Sequence, residues 1–343
     1  MTETMTKRER FEHFLRNEPV DRAPVAFFHH FIGPDKWFKG LEDEEAFEKN
    51  IEGHRIARKI FDPDVIKVMN DTLMIMPVDV SFVKKAEDLK KMEPPVHGSA
   101  FFEKSKELTR RVLEFYKDSD APTYFTGFSP CLILRQGLQR ADIPTEPGKT
   151  KLQTLIEEDK DAVLEALDRI ADSVIALDRE LFTETGVEGL YFSVNNQAHH
   201  LPDEMYREIA APSEKKVIAD ANKYSRINML HICGYDGLAN NLELFTDYDI
   251  PVINWAVHAE GVPLSVGKKM FGGKPVCGGF AQATTIYRGT QSEVEKETFD
   301  YLKDAGTVGV MIGADCTVPT DIDDDRLNWV RRACARYTQL AGK

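Results

Sequence analysis

The chain has 343 residues, of which 42% are hydrophobic and 29% charged, and its net charge is −13 with a pI near 5.3. That length buries a large core unaided, as one large α/β barrel or two ordinary domains. The acidic balance excludes nucleic acid as a partner, because proteins that bind phosphate backbones present a basic face. No apolar run approaches the length of a membrane span and the opening residues have no signal-peptide character, so no membrane contact and a cytoplasmic location are expected.

Residues 5–17 read as a short helix closed by Glu18-Pro-Val-Asp-Arg22, an N-terminal helical extension over 1–22. Pro24 introduces Val25-Ala-Phe-Phe-His-His30, too apolar for a half-exposed strand and therefore a buried one. The spacing of Phe47, Ile51, Ile56 and Ile60 predicts a helix over 44–60, and Asp62-Pro63 breaks it before the second strand, Val65-Ile-Lys-Val-Met69. Residues 72–101, with Pro77 and Glu93-Pro-Pro95, read as an excursion or lid. Thereafter helices and strands alternate. A helix over 102–116 precedes a strand at 123–128, and one over 160–185 precedes 189–194. The stretch 202–224 leads into 227–233, 237–245 into 251–257, 264–271 into 275–280 and 291–305 into 308–314, and a helix over 324–340 closes the chain.

Eight buried-type strands separated by helices are the pattern of a parallel closed barrel, a (β/α)8 or TIM barrel, and one domain over 1–343 accommodates them. An open doubly wound sheet would carry a glycine-rich fingerprint after its first strand. Phe27-Phe-His-His-Phe-Ile-Gly33 is no such loop.

In a parallel barrel chemistry gathers at the C-terminal strand ends. There the chain offers His29 and His30, Asn70 and Asp71, Ser129, Asn195 to Gln197, His231 and Cys233, His258, and Asp315 and Cys316. Most have a plain structural use: a hydrogen-bonded core histidine at 29, 30 or 258, a loop cap at Asn195 or Asn196, a solvated loop at His199-His200. The combination of His231, Cys233 and Cys316 is different. His231 and Cys233 alternate along an apolar run, so both side chains leave the same side of the backbone. If the last strand meets that one in space, Cys316 supplies a third ligand. One imidazole and two thiolates with one position open are the donor set of a catalytic zinc. The five cysteines are an odd count suited to a reducing compartment; Cys334 reads as helix packing, and Cys277 as inward packing of a strand.

At these residues the chain resembles the uroporphyrinogen decarboxylase superfamily, and within it the zinc-dependent corrinoid methyltransferases of methylcobamide:coenzyme M type. The resemblance rests on Asn17-Glu-Pro-Val-Asp-Arg-Ala-Pro24, Asp64 to Asp71, His231-Ile-Cys-Gly234, Asn254-Trp255, Gly278-Gly-Phe280 and Gly313-Ala-Asp-Cys-Thr-Val-Pro319. It implies a (β/α)8 barrel with an N-terminal helical extension, zinc on His231, Cys233 and Cys316, and methyl transfer between a small methylated substrate or thiol and a cobalamin-type corrinoid on a small partner protein. Asp71 matches the essential acidic position of the decarboxylases, and with His258 it is expected beside the reacting groups. His29, Asn195 and Asn196 are expected to orient the substrate. The arginine that the decarboxylases carry after strand one is missing from His29-His-Phe-Ile-Gly33, which disfavours a metal-free carboxy-lyase acting on a porphyrinogen, with its many carboxylates. That lyase and a non-catalytic tetrapyrrole- or corrinoid-binding barrel stay open as alternatives, as does a homodimer.

Overall fold

Each apolar run expected as a strand forms one: β1 Val25–Ala26, β2 Ile66–Val68, β3 Thr123–Phe128, β4 Gly189–Val194, β5 Met229–Ile232, β6 Val252–Trp255, β7 Val276–Phe280 and β8 Val310–Ala314. The computed structural model describes residues 4–197, 200–234 and 237–341; His199 lies outside them. The strands make one parallel sheet in the order β1-β8-β7-β6-β5-β4-β3-β2. Strands buried on both faces need apolar side chains throughout, and β4 to β8 are buried at every position.

Alternation along the strands splits the core in two. Ala26, Tyr124, Tyr191, Met229, Val252, Cys277 and Met311 point into the barrel, together with Phe28 and Val65. Their neighbours in sequence pack outward against the helices. The N-terminal helix α1, Lys7–Leu15, begins with a capping box in which Thr6 and Glu9 satisfy each other's backbone amides. It presents Phe11 and Phe14 to the interior cluster, with the Phe11 ring edge-on to Tyr124 at 6.3 Å. Each buried phenylalanine contributes about 1.5–3 kcal/mol, and together they plug the end of the barrel opposite the site.

Closure between β1 and β2 differs from every other seam. Among the described residues no β1–β2 ladder forms; the Asp64 amide donates to Val25 O at 3.2 Å, and the Val25 amide donates to the Asp64 carboxylate at 2.8 Å. That carboxylate also accepts from Arg22 at 2.6 and 2.8 Å and from Arg10 at 3.0 Å. A side chain therefore completes the barrel where β1, two residues long, is too short to do so. Gly313 on the opposite flank of β1 allows close approach, since a Cβ there would collide with Ala26 O.

The outer helices follow the predicted spans within a few residues: α2 Glu44–Ile60, α3 Ala100–Glu114, α6 Lys160–Glu184, and helices at Gln291–Ala305 and Asp325–Ala341. Two helices of eight or more residues were not anticipated, α4 Pro130–Leu138 and α5 Lys151–Glu158, nor were the single turns at Val257–Glu260 and Thr285–Arg288. Ser129 caps α4 through the Leu132 amide. The predicted 202–224 stretch is helical from Asp203 to Ala221, with a π-helical turn at Tyr206–Ala210. Residues 72–101 contain short 3-10 turns and are tied to α6, where Arg169 donates to the carbonyls of Leu89 and Met92 at 2.6 and 2.9 Å. Among the described residues no helix is long and apolar enough to cross a membrane.

Candidate metal centre

His231 is buried on β5, and Cys233 follows one residue past the strand, its amide still donating to Val194 O of β4 at 2.8 Å. Extended pairing thus persists through Cys233 and keeps both side chains on one side. Cys316 arrives from the end of β8, three strands away around the barrel. Ligand atoms of His231, Cys233 and Cys316 all lie within 4.8 Å of one another, and Cys316 Sγ is 3.6 Å from His231 Nε2. Tetrahedral zinc with its usual Zn–N and Zn–S bonds separates such ligand pairs by about 3.5–3.8 Å. The donor set and its spacing fit that ion with little adjustment, and both cysteines are half-buried, facing the mouth.

The surroundings prepare these groups for a cation. Hydrogen bonding with Cys233, working against burial, and the adjacent His231 hold the Cys316 thiol well below its ordinary range, which favours the thiolate a metal requires. By contrast, burial pushes the Cys131, Cys277 and Cys334 thiols up to about 12, so those three are packing residues. Asn254 on β6 orients the imidazole. Its Oδ1 accepts from His231 Nδ1 and from the Tyr191 hydroxyl at 2.9 Å, and its Nδ2 donates to Cys277 O at 2.9 Å. His231 Nδ1 therefore carries the proton and Nε2 faces the cysteines. Such partners of a ligating histidine typically contribute 10–100-fold in metal affinity. Asn254→Ala should lower zinc affinity by about that factor while leaving all three ligand candidates in place; competition against a chromophoric chelator measures it, and an unchanged affinity would remove Asn254 from the site.

Two cations at the mouth escaped sequence reasoning. Lys67 on β2 points inward, its ammonium 4.0 Å from the Tyr191 ring centroid and 5.0 Å from that of Phe28; Tyr191 in turn stacks on His231 at 5.1 Å. Burial brings the Lys67 amine down to about 8, opposed by the charges of Cys316, Asp71 and Cys233. Lys67 left a legible signal, a charge at an inward position of an apolar strand. Arg135 on α4 left none: it donates to Asn195 Oδ1 at 2.8 Å, and burial lowers its pKa.

The other expected site residues lie around the mouth with partners of their own. Asp71 accepts from the Phe31 and Ile32 amides at 2.6 and 3.3 Å and pairs with His30 Nδ1 at 2.7 Å, so it shapes the loop after β1. His29 turns to Asp324 at 2.6 Å. Asn196 is fully buried and holds the Asn241 amide at 2.9 Å. His258 is exposed; its Nε2 lies 3.0 Å from both Gly279 O and the Tyr301 hydroxyl, and its amide donates to Asp315 at 3.0 Å. Burial raises the Asp315 carboxyl to about 8 against that hydrogen bond.

The family model described as uroporphyrinogen decarboxylase (URO-D) matches residues 145–337, more than half of the chain. The chain belongs to the URO-D family. Its match spans β4 to β8 and all three ligand candidates, while β1 to β3 of this URO-D chain lie outside it. No curated protein matches the sequence. Among solved structures, the chain is similar to a methyltransferase from Methanosarcina mazei at 12% identity and a TM-score of 0.69, over 97% of this chain and 99% of that one. It is also similar to a B12-independent methionine synthase from Shewanella sp. W3-18-1, at 14% identity and a TM-score of 0.61, over 93% and 98%. A GH5_18 protein from Bifidobacterium longum subsp. infantis gives 14% identity and a TM-score of 0.51, over 93% and 79%. At these identities the likeness is one of fold, and the fold carries unrelated chemistries. What this URO-D chain does must therefore be argued from its own site.

Proposed function

We propose that the protein is a zinc-dependent methyltransferase that moves a methyl group between a small substrate or thiol and a corrinoid carried by a small partner protein. One observation carries the reading: His231, Cys233 and Cys316 converge from two non-adjacent strand ends on one point at the barrel mouth, in a combination of donors that packing alone does not require. Family membership agrees with it, as does the shared fold of the Methanosarcina mazei methyltransferase.

Bound by this set, zinc would supply a Lewis acid that lowers the pKa of a thiol or polarises a methylated oxygen or nitrogen. The chain's own residues do the rest. Asn254 holds the His231 tautomer. Cys233 and Cys316, as thiolates, would offset a bound ion's charge and keep the centre neutral. Lys67 and Arg135 place positive charge around the open side. Asp71 acts through His30, and Asn195 through Arg135, to orient the substrate; His258 and His29 border the same mouth, and Asn196 fixes the loop after β4. The single-domain arrangement over 1–343 leaves that mouth as the docking face for the corrinoid protein.

The test is methyl transfer by zinc-loaded protein from methylcobalamin to a panel of thiols and, in the other direction, from methoxyarenes to reduced cob(I)alamin. Cys233→Ser should lose zinc and at least about 10²-fold of the rate together, because removing a ligand exceeds the effect of removing a ligand's partner. Full activity in a variant shown to be zinc-free would sink the proposal. A metal-free carboxy-lyase is the second reading, favoured by the two mouth cations Lys67 and Arg135, which suit a substrate carboxylate. Turnover of uroporphyrinogen that is indifferent to Cys316→Ala would select it.

A further inference from the structure

We propose that the protein holds a small monovalent cation in a second, separate site, the cavity between β2 and β3 on one side and α3 and α6 on the other, with Asp178 as its charged ligand. The cavity measures about 40 Å³, room for an ion with one or two waters. Asn70, Ser105, Thr109, Thr126 and Asp178 supply its polar lining, within otherwise apolar walls.

The hydrogen bonds around the cavity show what it accepts. Thr109 spends its hydroxyl proton on Ser105 O at 2.8 Å, and Thr126 spends its own on Val68 O at 2.9 Å. Asn70 commits its amide nitrogen to Leu73 O and Thr126 O at 3.3 and 3.4 Å. What each turns to the cavity is therefore a lone pair. Asn70 Oδ1, Ser105 Oγ and Asp178 Oδ2 are buried without a partner, and Asp178 is 4% exposed. Among the described residues no ion pair or hydrogen bond reaches Asp178, and the charge that bears on it most is the like charge of Asp220, which joins burial in raising its pKa well above the usual carboxylate range.

Apart from the Ser105 hydroxyl, which can donate as well as accept, the lining offers acceptors and one carboxylate, complementary to a guest that has positive charge or donors to offer. An all-oxygen set selects a hard cation over zinc or copper. One carboxylate balances one charge, whereas calcium or magnesium would keep net charge in an apolar wall and require more ligands than the cavity provides. Potassium, sodium and ammonium meet both conditions. The site would also bear on the mouth, since Asn70 immediately precedes Asp71, the residue that holds the loop after β1.

Thermal unfolding of the full chain at one ionic strength tests this, in potassium, sodium or ammonium chloride against tetramethylammonium chloride, whose cation is too large to enter. At least one small cation should raise the midpoint by about 2 °C or more, and Asp178→Asn should abolish the difference. Equal midpoints in all four salts, or an unchanged difference in the variant, would overturn the proposal and leave Asp178 as a protonated, neutral acid. Should Asp178→Asn fail to fold, rubidium-soaked wild-type crystals decide: an anomalous peak beside Asp178 is expected, and its absence is equally fatal.

Discussion

Cys316→Ala protein, purified without oxygen, should contain little zinc, where the wild type is expected to hold about one ion per chain. Cys316 is the one ligand candidate supplied by β8, so its loss leaves His231 and Cys233 alone on the other side of the mouth, and affinity should fall by at least about 10²-fold, more than the loss of a ligand's partner costs. Cys277→Ala is the matched control. Its thiol is buried in the barrel and raised to about 12, so zinc content should stay at the wild-type level although a core side chain has changed. Elemental analysis of the three proteins reads both expectations. Zinc absent from all three would return His231, Cys233 and Cys316 to the status of packing residues and leave the carboxy-lyase reading in front.

Asp64→Asn should produce the largest loss of stability, about 3–5 kcal/mol, the range for breaking a buried ion pair by removing one partner. The variant leaves the Arg10 and Arg22 guanidinium groups buried beside a neutral amide, and it weakens the one place where the barrel closes through a side chain. Denaturant midpoints and a Tm lowered by roughly 5–10 °C would register it, while zinc content should not change, because Asp64 precedes β2 at the N-terminal end of the barrel whereas the ligand candidates sit at the C-terminal strand ends. A midpoint equal to the wild type's would mean that the pairing with β8 and the Asp64 amide's hydrogen bond to Val25 O hold β1 without the carboxylate.

The same residue predicts a pH dependence. Burial opposes ionisation of Asp64, but the charges and hydrogen bonds of Arg22 outweigh it and bring the carboxyl down to about 2, against 3.8 when unpaired. A folded pKa below the unfolded one gives stability that is complete above about pH 4 and is lost as pH falls towards 2. The contribution is about 2 kcal/mol, and it should be missing from the acid-unfolding profile of Asp64→Asn.

How much of this could be read from the chain depended on the range of the interaction. Apolar runs buried on both faces and the helical spacing between them are local patterns, and they yielded eight strands at their places. They also put His231 and Cys233 on one side, because alternation is a property of the extended backbone itself, and β5 keeps its pairing through Cys233. The helices Pro130–Leu138 and Lys151–Glu158 were passed over between a strand and a long, more regular helix. Arg135 could not be placed without the first of them.

By itself, then, the sequence determined the parallel α/β architecture, through hydrophobic periodicity, and the chemistry of the donor set, through one imidazole and thiols at strand ends. Only the tertiary structure decided that Cys316 comes within 3.6 Å of His231, since residues 85 positions apart meet through barrel closure and not through any local rule. It alone showed that β1 and β2 join through Asp64, that Asn254 sets the imidazole, and that Lys67 and Arg135 line the mouth. It also left Asp178 beside a buried cavity with a mostly acceptor lining. Each of these is a contact between distant strands or helices, where the partner is chosen by packing geometry and the cost of burying charge, and neither is written in the order of residues along one segment.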